Sequence, residues 1–244
     1  MTRWMCALIM AACLVGFAKA QDIHHLKFVF VSGQLFSGVS YLNYPRGTNM
    51  PPEPVQIVDV GSNISKTYEY SGPARIQFVQ GNPEAGGKLL FSFDVRTLKS
   101  ETLFIVWQEF SPEKKDELLW RCLPVSNWQN RINKNRITFI NLTKLPLAAK
   151  LDKKICSPLP PLVPNLPISQ KFDVNLMCYW EDEDRFVIVR KDSMMLREGF
   201  RHMGVFFLSI GVRSDGRPSV LYKLISDAAD ASAMKFYEAA RSDM

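Results

Sequence analysis

The chain is poor in histidine and cysteine, and after its first twenty residues it has no long apolar run. Three histidines in 244 residues leave few candidates for the commonest general base and metal ligand. Five cysteines are too few for a disulfide-built miniprotein. No HExxH, CxxC or other spaced ligand set occurs, which excludes the familiar zinc patterns. No GxSxG occurs, which excludes a nucleophile elbow. A single apolar run excludes a polytopic helical membrane protein. Charge of one sign is also scarce. The 30 Lys+Arg and 24 Asp+Glu are interspersed, as in Lys114-Lys115-Asp116-Glu117, and form no basic stripe of the kind that nucleic-acid binding needs. What remains is 47% hydrophobic, enough to fill a core and too much for a disordered chain.

Residues 1–20 read as an export signal. Arg3 supplies the positive start, Cys6 to Phe17 form a short apolar stretch, and Ala18-Lys19-Ala20 is a small-x-small cleavage site. The stretch is shorter than the roughly 20 residues that span a bilayer. Cleavage removes Arg3 and Lys19 and no acid, lowering the net charge from +6 to +4. The expected compartment is outside the cytoplasm: periplasm, cell surface or medium. Such compartments permit disulfides, and the mature chain keeps Cys122, Cys156 and Cys178. Cys122 lies in an apolar run and reads as a buried thiol. Cys156 and Cys178 bond only if their strands are neighbours.

The mature sequence alternates with the period of β structure. Predicted strands are 27–32, 39–42, 55–60, one near Tyr68, 75–80, 89–95, 103–110, 118–125, 136–141, 147–151, 172–180, 186–190, 205–210 and 220–225. Gly81-Asn82-Pro83, Gly86-Gly87 and Asp215-Gly216-Arg217-Pro218 supply turns between them. The one helical signal is the Ala-rich end from Asp227 to Ala240.

The pattern is written twice. Leu103 to Trp107, a charged turn, then Leu118 to Leu123 match Val205 to Ser209, a turn, then Val220 to Ile225, with Trp120 against Tyr222 and Arg121 against Lys223. Lys27-Phe28-Val29-Phe30-Val31 resembles Arg136-Ile137-Thr138-Phe139-Ile140. Each half then meets a Pro-rich stretch, Pro45 to Pro54 and Pro158 to Pro167, ending in Ile64-Ser65 and Ile168-Ser169. Proline cannot donate to a ladder, so these stretches belong at an edge or at a crossing between sheets. The expected fold is all-β: two tandem seven-stranded antiparallel immunoglobulin-like β-sandwiches with a short C-terminal helix. The boundaries are a signal peptide at 1–20, domain 1 at 21–126, a linker at 127–135, domain 2 at 136–227 and a helical tail at 228–244.

With its signal peptide, its repeat and strand openings such as Arg136-Ile137-Thr138-Phe139-Ile140-Asn141-Leu142, the chain resembles secreted bacterial proteins built from tandem immunoglobulin-like or transthyretin-like domains of unknown function. The resemblance implies a fold and a location and brings no catalytic residues with it.

Candidate chemistry is thin. His24 and His25 are adjacent, so on a strand they point to opposite faces and cannot share a metal. Glu181-Asp182-Glu183-Asp184 is a run of four acids without the glycine and spacing of an EF-hand loop. It reads as a hairpin tip. Asn63-Ile64-Ser65 and Asn141-Leu142-Thr143 are glycosylation sequons. Trp180 and His202 are candidate partner contacts. Trp128 falls in the linker, where it meets a partner or wedges between the domains. No catalytic, cofactor or metal residue is expected. The reading is an exported, non-enzymatic binding or structural protein of the envelope that acts through protein–protein contacts. One alternative is a carbohydrate-binding protein using exposed aromatics. The other is a hydrolase with an inter-domain site, in a deep pocket holding His202 or a carboxylate pair of shifted pKa.

Overall fold

In a computed structural model of the chain, the residues described are 23–31, 41–44, 53–56, 64–80, 85–111, 113, 117–134, 136–151, 154–156, 166–167, 171–212 and 214–228. The signal segment 1–20, the tail from 229, Asn63, residues 57–60 of a predicted strand and the proline-rich residues 45–52 and 157–165 lie outside them. The fold is all-β. Among the described residues, sixteen strands make four sheets of four.

The first half forms two sheets. One holds, in spatial order, β4 (Tyr68–Tyr70), β1 (His24–Phe30), β7 (Glu101–Phe110) and β8 (Leu118–Ser126). The other holds β3 (Glu53–Gln56), β2 (Tyr41–Tyr44), β5 (Arg75–Gln80) and β6 (Lys88–Asp94). The second half repeats both orders. β12 (Leu166–Pro167), β9 (Arg136–Asn141), β15 (Phe200–Val212) and β16 (Pro218–Ala228) make one sheet. β11 (Lys154–Cys156), β10 (Leu147–Leu151), β13 (Lys171–Trp180) and β14 (Arg185–Met195) make the other.

Among the described residues each half therefore has eight strands, against the seven expected. β11 and β12 were missed: they are three and two residues long, too short for an alternation signal. Both are edge strands, β12 with Pro167 and β3 with Pro54, where a missing N–H costs least. The chain passes from one sheet to the other between β11 and β12, as it does between β3 and β4. The sheets are also not purely antiparallel, because β1 runs parallel to β7 and β9 parallel to β15. The first two strands of each half lie in different sheets, whereas an immunoglobulin sandwich pairs them.

Three apolar cores hold these sheets. Leu26, Phe28 and Phe30 of β1 and Phe104 and Val106 of β7 meet Ile76 and Phe78 of β5. In the second half Ile137, Phe139 and Phe206 meet Leu147, Leu176, Cys178 and Trp180. The third core joins the halves. Val29, Val31, Leu103 and Ile105 pack on Ile140, Leu142, Met203, Val205, Phe207 and Ile225. The β1 and β9 sheets are therefore inner layers, buried on both faces, and the β2 and β10 sheets are outer layers. That arrangement explains why Phe28–Val31 and Leu103–Val106 are apolar without a break: a strand covered on both faces has no position for a polar side chain.

The repeat is visible in detail. Phe28 stacks on Phe104 with centroids 5.4 Å apart, and Phe139 stacks on Phe206 at 5.4 Å. The registers are not identical: Phe28 lies opposite Phe104, whereas Phe206 lies opposite Asn141 and Phe139 opposite Gly204. The offset is two residues, which keeps every side chain on its face. Each outer hairpin carries a bulge on its second strand. Phe78 and Val79 face Phe91 and Leu89, leaving Leu90 extra. Leu176 and Met177 face Arg190 and Ile188, leaving Val189 extra. Gly204 lies under the Phe139 ring, where a Cβ would come within 2.6 Å of a ring carbon, so that position has no room for a side chain.

The third core dictates how the halves respond to truncation. Ile105→Ala, at the inter-half contact, should lower unfolding free energy by about 2–5 kcal/mol and keep a single unfolding transition in denaturant. A variant that splits the curve into two transitions would show that the halves are held independently.

Candidate functional site

The three aromatic or imidazole positions singled out from sequence are all buried. Trp128 opens helix α1 (Trp128–Arg131). The turn into it is set by Asn127 in the left-handed region, at φ 52°, with its N–H bonded to the Glu101 carbonyl. The indole joins Ile132 in the core between the inner sheets, with the Lys27 ammonium 5.5 Å from the ring centre. Of its two expected roles, it takes that of the wedge.

Trp180 ends β13 against the second-half core. The Arg217 guanidinium lies 5.0 Å over its ring and bonds Glu183 Oε1 and Asp182 Oδ2, each at 2.5 Å. The acidic run is a hairpin tip, as its sequence suggested, and an arginine from the β15–β16 turn spans two of its carboxylates. Bonds from Arg217 and then Arg185 hold the Glu183 carboxyl below its ordinary range. Among the described residues no cluster of His, Cys, Asp or Glu has the arrangement of a metal site.

His202 lies near the start of β15, at the opposite end of that strand from the Arg217 turn. Its Nδ1 is 2.9 Å from Ser226 Oγ, and its Nε2 is 3.1 Å from the Arg197 carbonyl oxygen and 3.2 Å from the Arg197 nitrogen. The Ser226 contact has the length of a nucleophile–base pair. The orienting partner is main chain, however, where a triad has an acid, and the ring has no exposed surface. The contacts fix the ring at one end of an interior strand, which pairs with β9 and β16. The three residues do not converge on one site.

The cysteines are equally separate. β10 lies between β11, which carries Cys156, and β13, which carries Cys178. Two strand spacings are about 9.5 Å, beyond disulfide reach, and Cys178 is a free thiol whose pKa burial pushes up to about 11. Asn141 is also committed. Its Nδ2 donates to the Leu145 carbonyl, and its Oδ1 accepts from the Thr143 N–H and hydroxyl, so this sequon presents no free amide.

The rim of the inter-half core is polar. Lys223 donates to the Phe30 carbonyl at 3.0 Å, and burial lowers its pKa. Burial raises the Asp227 pKa, while Lys27 and Arg201 pull it back. A hollow of about 230 Å³ opens here between His25, Lys27, Thr67, Glu101, Trp128 and Gln129.

The larger hollow, about 530 Å³, lies elsewhere, along β14 from Arg185 to Lys191. Of the seven exposed large apolar residues described, four belong to this outer sheet: Phe186 (45% exposed), Ile188 (44%), Met195 (68%) and Ile155 (69%). The first two sit beside Tyr179 and Met177 of β13, with Tyr179 and Phe186 edge to face at 5.5 Å. The sequence held a signal for this surface. Phe186-Val187-Ile188-Val189 is a four-residue apolar run, the mark of a strand covered on both sides, yet β14 is an edge strand of an outer sheet. Val187 and Val189 face the core, and Phe186 and Ile188 are left at the surface.

A scan against protein-family models finds no match, and a search of curated proteins finds none either.

Two outcomes follow from these geometries. Burial lowers the His202 pKa below 6.5, with a weaker opposing pull from the Arg197 bond. Below pH 6.5 the unfolded state then takes the proton first. Unfolding free energy should fall as pH drops through 6.5 and level off below the folded-state pKa. His202→Gln should flatten that step in pH-dependent melting, and an unchanged step would place the titration elsewhere. Expressed in a glycosylating host, the chain should carry no glycan on Asn141, and a glycopeptide containing Asn141 in mass spectrometry would contradict the burial described here.

Proposed function

We infer that the protein is an exported binding protein that acts through protein–protein contact, with the outer sheet of its second half as the docking surface. The carrying observation is the apolar run of β14, whose solvent-side residues Phe186 and Ile188 border a hollow of about 530 Å³. Contiguous exposed apolar surface flanked by charge is the usual mark of an interaction site. The inner layers provide a stiff support, because their side chains are locked on both faces.

The repeated strand order supports a tandem pair of β-sandwiches produced by duplication. Between the two resemblances, the separation of β1 from β2 into different sheets counts against the immunoglobulin-like one. The signal sequence supports export. The carbohydrate-binding alternative asks for a row of exposed aromatics, and this face offers Tyr179 and Phe186 at an interplanar angle of 62°, a poor platform for a flat sugar ring. The hydrolase alternative asks for a reachable His202, and that ring is enclosed by Arg197, Phe200 and Ser226.

The test compares capture from envelope extract by the parent protein and by Phe186→Asp with Ile188→Asp. The double variant should lose the captured partner while its melting behaviour stays close to the parent, since exposed substitutions usually change stability by about 0.5 kcal/mol or less. A glycan-array signal that is lost with Tyr179→Ala would replace this reading with the carbohydrate one.

A further inference from the structure

The partner's chemistry can be drawn from the same edge, and this step rests on the docking reading above. The hollow is lined by seven consecutive residues, Arg185 to Lys191. Consecutive strand residues point to opposite faces, so a hollow lined by all of them follows the free edge of the strand and not one face. Among the described residues β14 pairs only with β13 and ends its sheet. An edge strand leaves alternate N–H and C=O groups unpaired within the sheet.

The lining contains four apolar residues, three cations and no acid. Two of the cations have local partners: Arg185 pairs with Glu183 at 2.9 Å, and Arg190 with Asp192 at 3.4 Å. Lys191 is exposed. Because Val189 is the extra residue of the bulge, Phe186, Ile188 and Lys191 all stand on the outer face, opposite Tyr179, Met177 and Asn175. The outer face of the edge therefore reads apolar, apolar, cationic. A second copy of this lining would bring the same three cations to the groove, so the lining does not complement itself.

We propose that β14 takes an extended peptide segment as a fifth strand of the outer sheet. That segment carries two apolar residues two positions apart, and a carboxylate beyond them at the Lys191 end. Backbone bonds would supply affinity, and the alternate side chains selectivity. The bulge at Val189 and the charges at 190–192 interrupt the edge, which confines the open stretch and selects against indiscriminate strand pairing.

The probe is a labelled peptide with the pattern valine–threonine–valine–threonine–glutamate, flanked by threonines and titrated by fluorescence anisotropy against the full chain. Binding is expected. Replacing the glutamate with lysine should weaken it about fivefold, the scale of swapping a cross-strand charge pair, and Lys191→Glu should reverse that preference. N-methylation of one alternate set of peptide amides should abolish binding, while methylation of the other set leaves it intact.

Binding that is lost with Ile188→Asp but insensitive to which amides are methylated would overturn strand addition and leave the docking surface standing. Indifference to the charge swap would overturn the acidic preference. Concentration-dependent self-association of the full chain, removed by Ile188→Asp in sedimentation, would make a second copy the occupant and overturn the proposal. Failure of every peptide, with partner capture still dependent on Phe186 and Ile188, would overturn the proposal alone. Failure of both would overturn the docking reading as well.

Discussion

The contact between the two inner sheets governs this molecule. Val29, Val31, Leu103 and Ile105 from one half close against Ile140, Met203, Val205 and Phe207 from the other. Without that contact each half would expose a full apolar sheet face to water, and apolar burial is the main force that opposes the chain's loss of conformational freedom. Trp128 and Ile132, from the short helix joining the halves, fill one side of the same core. The connection is thus part of the packing, and the halves behave as layers of one stack. Lys223, donating to the Phe30 carbonyl, adds a directional bond across the rim.

This arrangement sorts the surfaces. The inner sheets have no free face, so only their edges and loops reach solvent. In the outer sheet of the second half, Phe186, Ile188 and Met195 remain exposed. At one end of the second half, Arg217 ties the acidic tip of the outer hairpin to the turn of the inner one and covers Trp180. The hairpin that carries β14 is therefore anchored at its tip, and its edge is presented on a fixed base. An edge held in this way loses little freedom when it meets a partner, which favours binding.

Much of the architecture was legible because β alternation and repetition are local signals. Where the residues are described, the predicted strands overlap real ones (57–60 lie outside the described residues), and the match of Leu103–Trp107 with Val205–Ser209 agrees with their places as β7 and β15. The short strands β11 and β12 could not be read, since two or three residues show no period. The strand order could not be read either, because the parallel pairing of β1 with β7 joins residues some 75 positions apart and no local pattern encodes it. The three site candidates are buried, for a physical reason. Trp128, Trp180 and His202 were selected by residue type, and large or titratable side chains serve a core as readily as a surface. The better clue was a mismatch of pattern and place. Phe186 to Val189 is apolar at every position, like Leu103 to Val106. Leu103 to Val106 is covered on both sides, whereas Phe186 to Val189 is covered on one.

Native-state hydrogen exchange tests the central contact most directly. The amides of β1, β7, β9 and β15 should be the slowest to exchange, and they should open with one common free energy equal to that of global unfolding. If the amides of β9 and β15 opened at a distinctly lower free energy than those of β1 and β7, or the reverse, the halves would be separate units and the shared core would not be what holds the molecule together.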